Sequence, residues 1–182
     1  KEVPHYEILE QLKEEGKINA YGASLDCYDE IKLLTETTGS EVVEAFFNIL
    51  HQDAARAFYM ANKRGVGIIV KIPLDSGWLT GKYNSASVFT GVRERWSRED
   101  IETRATLVER VKEIIGDGYT LSHAAISFCL SDPAVSTVIP GNTTIEQLKH
   151  NIDSVNNPIP LPVVKELKRF YKDEVKGLNL PW

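Results

Sequence analysis

The stretch that most narrows the possible folds is Val70 to Tyr83, VKIPLDSGWLTGKY. Val66 and the run Ile68 to Ile72, interrupted only by Lys71, lead into it as a short apolar segment suited to a buried strand. Pro73 then removes a backbone donor and stops the pairing. Asp75, Ser76 and Gly77 follow, with Gly81 and Lys82 close behind. A loop of small residues with one cation can bring several backbone N–H groups and an ammonium to a phosphate.

The elements on either side set this loop in a repeating order. Tyr6, Leu9 and Leu12 recur about a turn apart, as at the end of an amphipathic helix entered partway, and Gly16 closes it. Lys17 to Ala23 reads as a short strand, and Asp26 as the cap of a helix that Gly39 ends. Val42 to Leu50 is strand-like, Asp53 to Arg64 helical, and Val66 to Ile72 a strand. Strand, helix, strand, helix, strand points to parallel crossovers. Asn84 to Trp96 reads as a long mobile loop. Ser97 with Asp100, and then Thr120, start two more helices. Val135 to Ile139 is the last strand. It runs through Pro140-Gly141-Asn142 into a capping box, Thr143 to Glu146, that opens a helix with Ile145, Leu148 and Ile152 on its apolar side. Pro162 suits the first turn of a final helix, and Gly177 to Trp182 reads as a surface tail.

About four strand–helix units result. A closed (β/α)8 barrel needs eight and typically ~250 residues, and the chain has 182. The expected fold is therefore α/β of TIM-barrel type, with residues 1–182 forming the C-terminal half. Half a barrel leaves two strand edges open, which invites self-association. In such barrels a phosphate site commonly forms from the last two strand-to-helix loops. Here those are the Gly77–Lys82 loop and Ile139 to Thr143, which feeds a helix N-terminus suited to an anion. Net charge of −5 without a basic block argues against nucleic acid as a partner. No apolar run reaches membrane-spanning length and no signal peptide is visible. Two cysteines without metal spacing suit reduced thiols in a cytoplasmic protein with no metal site.

Three stretches together resemble the aldo-keto reductase family. IPLDSGWLTGKY resembles its loop after the seventh strand, which ends Leu-Thr-Gly-Lys-Tyr and wraps the pyrophosphate of NADP(H). GKINAYGAS and VIPGNTTIEQLKHN resemble its fifth-strand and last-loop motifs. The resemblance implies a cofactor, NADP with NAD as the alternative, and a small carbonyl substrate for the full-length parent. It assigns Pro73, Leu74, Ser76, Gly77, Leu79 and Lys82 to the pyrophosphate loop and Ser24 to the nicotinamide. It assigns Ile139, Gly141 and Thr143 to the adenosine phosphate region, and Gln147 and Asn151 to adenine.

Two positions depart from the family pattern. Glu44 stands where a Gln is usual, and Lys71 where an aromatic ring is usual. Both still belong to the expected cofactor site, where they would replace the amide and ring with an ion pair. The family's catalytic Asp, Tyr, Lys and His lie on the first four strands, so no residue here is assigned a catalytic role. His51, His123 and His150 read as surface or capping histidines, and Arg93, Arg95 and Trp96 either as a lid over the cofactor or as part of an ordinary solvated loop. The expected function is the cofactor half of an oxidoreductase, inactive alone. A non-catalytic cofactor-binding or assembly module is the alternative.

Overall fold

A computed structural model describes residues 5–178, 180 and 181. The termini of the expected first helix and surface tail, Lys1–Pro4, Asn179 and Trp182, lie outside the described residues. The elements follow the order α1 (His5–Glu14), β1 (Gly22–Leu25), α2 (Tyr28–Thr37), β2 (Val42–Phe46), α3 (Ala55–Lys63), β3 (Gly67–Lys71), α4 (Arg98–Ile115), α5 (Leu121–Leu130), β4 (Val135–Val138), α6 (Ile145–Asn156) and α7 (Leu161–Phe170). The strands form one sheet in the order β1-β2-β3-β4, with every pair parallel.

Sheet register divides the strand residues between two environments. Val43 and Ala45 lie opposite Ile68 and Val70. All four are buried in one core with Ile31 and Leu34 of α2, Phe58 of α3 and Val108 of α4. The alternate residues, Val42, Glu44, Ile69 and Lys71, are only half-buried. Parallel sheets are ordinarily covered on both faces, so this sheet has one dry face and one partly wet face.

Several boundaries differ from the sequence expectation. The chain turns back at Gly16, where Lys17 and Ile18 N–H bond the Leu12 carbonyl, so β1 starts at Gly22 rather than Lys17. β2 stops at Phe46 because Asn48 closes a tight turn. Its Oδ1 accepts from the N–H groups of Leu50 and His51, and its Nδ2 donates to the Ile72 carbonyl at 3.0 Å. The apolar Phe47, Ile49 and Leu50 then plug the core instead of extending the strand. The cap of α2 is Cys27, and the Glu30 carboxylate accepts from the N–H groups of Asp26 and Cys27.

Residues 84–96, expected to be mobile, are held by rings. Phe89 sits 4.8 Å from both Tyr83 and Trp96, and all three surround the buried Trp78. The cap of α6 is Thr144 rather than Thr143, its hydroxyl accepting from Gln147 N–H. The apolar side of α6 does not face inward. Ile145, Leu148, Ile152 and Val155 are 66%, 47%, 53% and 57% exposed, and the helix buries Asn151 and Ser154 instead.

Gly22 is required by close approach. A Cβ there would lie 1.7 Å from the Val42 carbonyl oxygen, whereas one on Gly118 would meet nothing within 4 Å. Gly22→Ala is therefore expected to cost roughly 2 kcal/mol or more by forcing β1 off β2. Gly118→Ala should stay within about 0.5 kcal/mol. Urea unfolding of both variants, followed by circular dichroism, checks this.

Candidate functional site

Beyond Lys71 the chain leaves the sheet through a strained turn. Ile72, Asp75 and Ser76 have φ of 52°, 45° and 54°, and Gly77 has φ of 102°. The left-handed region disfavours an L-residue by roughly 1–2 kcal/mol, so three non-glycine residues there need firm support. Local hydrogen bonds supply part of it: Asp75 N–H to the Ile72 carbonyl, and Gly77 and Leu79 N–H to the Leu74 carbonyl. Trp78 and Leu79 are fully buried and pin the turn to the core. Leu79 thus fills the core with its side chain, although the sequence places it in the cofactor loop. With those two anchored inward, Ser76, Gly77, Thr80 and Lys82 line the outer surface. The Lys82 stem lies across Gly77, where an added Cβ would sit 2.8 Å from Lys82 Cε and 3.2 Å from Nζ.

The second loop follows the neighbouring strand. Ile139 N–H still bonds the Val70 carbonyl at 3.0 Å, which ties the start of this loop to β3. Gln147 Oε1 accepts from Thr143 N–H at 2.7 Å and from its hydroxyl at 3.0 Å. Asn151 Nδ2 donates to Asn142 Oδ1 at 2.6 Å. These bonds fix the Gly141–Thr143 backbone against the first two turns of α6.

The two loops share a cavity of about 730 Å³, within the ~300–1,000 Å³ of small-molecule sites. Ten residues singled out in the sequence line it: Pro73, Leu74, Ser76, Gly77 and Lys82 on one side, and Ile139, Gly141, Thr143, Gln147 and Asn151 on the other. Ser24, Glu44 and Lys71 are not in this lining. They occupy the half-buried sheet face, where Lys71 Nζ lies 2.7 Å from Asp26 Oδ1 and 2.9 Å from Ser24 Oγ. The expectation of a Glu44–Lys71 bridge did not include those partners.

Sequence reasoning missed other lining groups. His150, expected at the surface, faces the cavity and its Nε2 sits 2.8 Å from Thr120 Oγ1 and 3.1 Å from Ser122 Oγ. The signal was present: Gln147, His150 and Asn151 stand at i, i+3 and i+4, one face of a helix. Glu146 also lines the cavity, as does Arg93, which the sequence places in a lid or an ordinary solvated loop; Arg93 Nε is buried without a hydrogen-bond partner among the described residues. Among the described residues, no group of three or more His, Cys, Asp or Glu could hold a metal ion, and no helix is long and apolar enough to cross a membrane.

The sequence matches the Aldo/keto reductase family over residues 4–172. The chain belongs to the aldo/keto reductase family. It is 24% identical over 176 residues to "Uncharacterized oxidoreductase YqkF" of Bacillus subtilis, covering 95% of this chain and 53% of that protein. It is 35% identical over 109 residues to a "Probable voltage-gated potassium channel subunit beta" of Arabidopsis thaliana, covering 55% of this chain and 33% of that protein. The fold is similar to that of aldo-keto reductase AKR11C1 from Bacillus halodurans in its apo form, with a TM-score of 0.73 at 22% identity, covering 92% of this chain and 57% of that one. The chain thus spans about half the length of the relatives it matches end to end.

Under the strained turn of this aldo/keto reductase chain lies a buried charge cluster. Asp75 is 1% exposed and Arg104 of α4 is fully buried, with Arg104 Nε 3.2 Å from Asp75 Oδ2. His51, in the turn after β2, places Nε2 3.5 Å from Asp75 Oδ1 and stacks on Phe46 at 4.4 Å. Burial pushes the Asp75 carboxyl up, but the His51 imidazole and the Arg104 guanidinium outweigh it and hold it below the usual carboxylate range. A carboxyl depressed in the folded state contributes stability that is fully present above its unfolded pKa and lost as pH falls through the folded one. Asp75 should therefore add to acid unfolding below about pH 4. Thermal melts from pH 7 to pH 3 are expected to fall more steeply for the parent chain than for Asp75→Asn, which has no proton to take up.

Proposed function

We propose that residues 1–182 are the C-terminal half of a (β/α)8 barrel and supply the dinucleotide site of an oxidoreductase that reduces carbonyls or oxidises alcohols. The observation that carries this is the meeting of two loops, from the neighbouring strands β3 and β4, around one cavity. The donor set fits a dinucleotide. Lys82, Arg93, Ser76 and the backbone at Gly77 suit the two phosphates. Gly141, with open space where a Cβ would stand, leaves room at the N-terminus of α6 for the adenosine ribose and the phosphate that NADP carries on it. Gln147 and Asn151 suit the edge of adenine, and His150 borders the same end. Ser24, Glu44, Lys71, Pro73 and Leu74 then lie toward the nicotinamide. NADP is the proposed cofactor and NAD the alternative.

The bound nicotinamide supplies the hydride. A general acid must give a proton to the carbonyl oxygen as the hydride arrives. The family resemblance places the catalytic Asp, Tyr, Lys and His on the first four strands of the barrel, so we assign the acid to a preceding half of the parent protein and expect this chain alone to be inactive. The likeness to a potassium channel subunit beta favours a second reading, a cofactor-binding module in an assembly. The half-exposed sheet face and the apolar side of α6 are surfaces such an assembly could cover.

The test is titration of the purified chain with NADPH, read by quenching of tryptophan fluorescence, since Trp78 sits inside the loop. Saturable quenching is expected, and Lys82→Met should weaken it roughly 10-fold or more, the value of one charge-assisted hydrogen bond. No turnover of a simple aldehyde is expected. Absence of binding to both NADPH and NADH would contradict the site, and turnover would contradict the assignment of the acid to another segment.

A further inference from the structure

The Asp75–Arg104 pair is poorly built as a source of stability. Arg104 is fully buried, yet both of its terminal nitrogens are buried without a hydrogen-bond partner among the described residues. Its guanidinium carbon lies over the Trp96 ring, 5.1 Å from its centre. Buried ion pairs often stabilise no better than apolar residues of similar volume, and unsatisfied buried donors make the comparison worse.

What the pair does fix is a point of backbone. Asp75 sits between Leu74 and Ser76, both of which line the cavity, while Asp75 itself does not. It is also one of the three non-glycine residues held in the left-handed region. Its carboxylate reaches two elements outside the loop: α4 through the Arg104 Nε hydrogen bond, and the β2–α3 turn through a 3.5 Å approach of His51 Nε2, which has no hydrogen-bond partner among the described residues. Asn48 of that same turn donates to the Ile72 carbonyl, at the first left-handed residue. The turn at residues 72–77 is thus held at three points by two elements, α4 and the β2–α3 turn. Strained backbone of this kind persists where its surroundings over-determine it.

We propose that Asp75 is a positioning residue, tied to Arg104 and His51 so that Ser76, Gly77 and Lys82 stand ready for phosphate before any ligand arrives. This rests on the cofactor site proposed above. Pre-ordering the loop removes the entropy that binding would otherwise lose in arranging it.

The deciding variant is the double substitution Asp75→Asn with Arg104→Met, which removes both charges without stranding either. It is expected to keep the thermal midpoint of the parent chain, while hydrogen–deuterium exchange in residues 75–82 accelerates roughly 10-fold or more and exchange in β2 does not change. NADPH should bind about 10-fold or more weakly, and adenosine 2′-monophosphate, which lacks the pyrophosphate, with unchanged affinity. Parent-like exchange in residues 75–82 would overturn the proposal. If the double variant does not fold, Asp75→Asn with Arg104→Gln, which also leaves no buried charge unpaired, is read by the same exchange measurement, with the same outcomes. Accelerated exchange in the double variant, together with a parent chain that does not bind NADPH, would sustain the tether and remove the cofactor reading.

Discussion

Everything at the candidate site depends on how β3 ends. A strand in a parallel sheet can run on into its helix, but here Ile72 turns left-handed and the chain folds back on itself within a few residues. Trp78 and Leu79 enter the core, and the polar and glycine residues between are left facing outward. The direction in which Lys82 points follows from that inward anchoring. Because β4 pairs with β3 and Ile139 keeps the pairing going by one bond, the second loop has to emerge beside the first. Adjacent parallel strands thereby bring two loops, far apart in sequence, around one cavity.

Much of this was legible in the amino-acid order. The Pro-Leu-Asp-Ser-Gly run announced the end of β3, and Ser97 with Asp100 the start of α4, where both halves of the capping box form. The parallel α/β order could be read from alternating short apolar runs and helical periods. Less could be read where a side chain decides the path. Asn48 ends β2 inside a stretch of nearly continuous apolar residues, because two amide bonds to its own turn outweigh strand propensity. Thr143 and Thr144 offer the same hydroxyl, and only the position of Gln147 decides which one caps α6. Arg104 carries a charge at a helical position whose neighbours Ile101, Leu107 and Val108 are all buried. Its partner, Asp75, lies 29 positions earlier in an unrelated loop, and no local pattern links such a pair.

The orientation of α6 is informative in a different way. Its apolar residues fall at proper helical spacing and form one side of the helix, as the spacing indicates. In the structure that face is exposed, while Asn151 and Ser154 are buried and the helix packs against α5. One face of the sheet is likewise half-wet, with Glu44 and Lys71 on it. Two amphipathic surfaces that this chain leaves uncovered accord with the observation that it spans about half the length of relatives matched along nearly all of its own length. The closed-barrel reading assigns both surfaces to a preceding half, and the module reading to a partner.

The most direct measurement is an NMR titration with NADPH, following backbone amides in both loops. One ligand held between them predicts that the amides of Ser76 to Lys82 and of Gly141 to Thr143 shift together, along isotherms with a single dissociation constant. Shifts confined to one loop, or two loops titrating with different constants, would mean that the cavity does not hold a dinucleotide across its width.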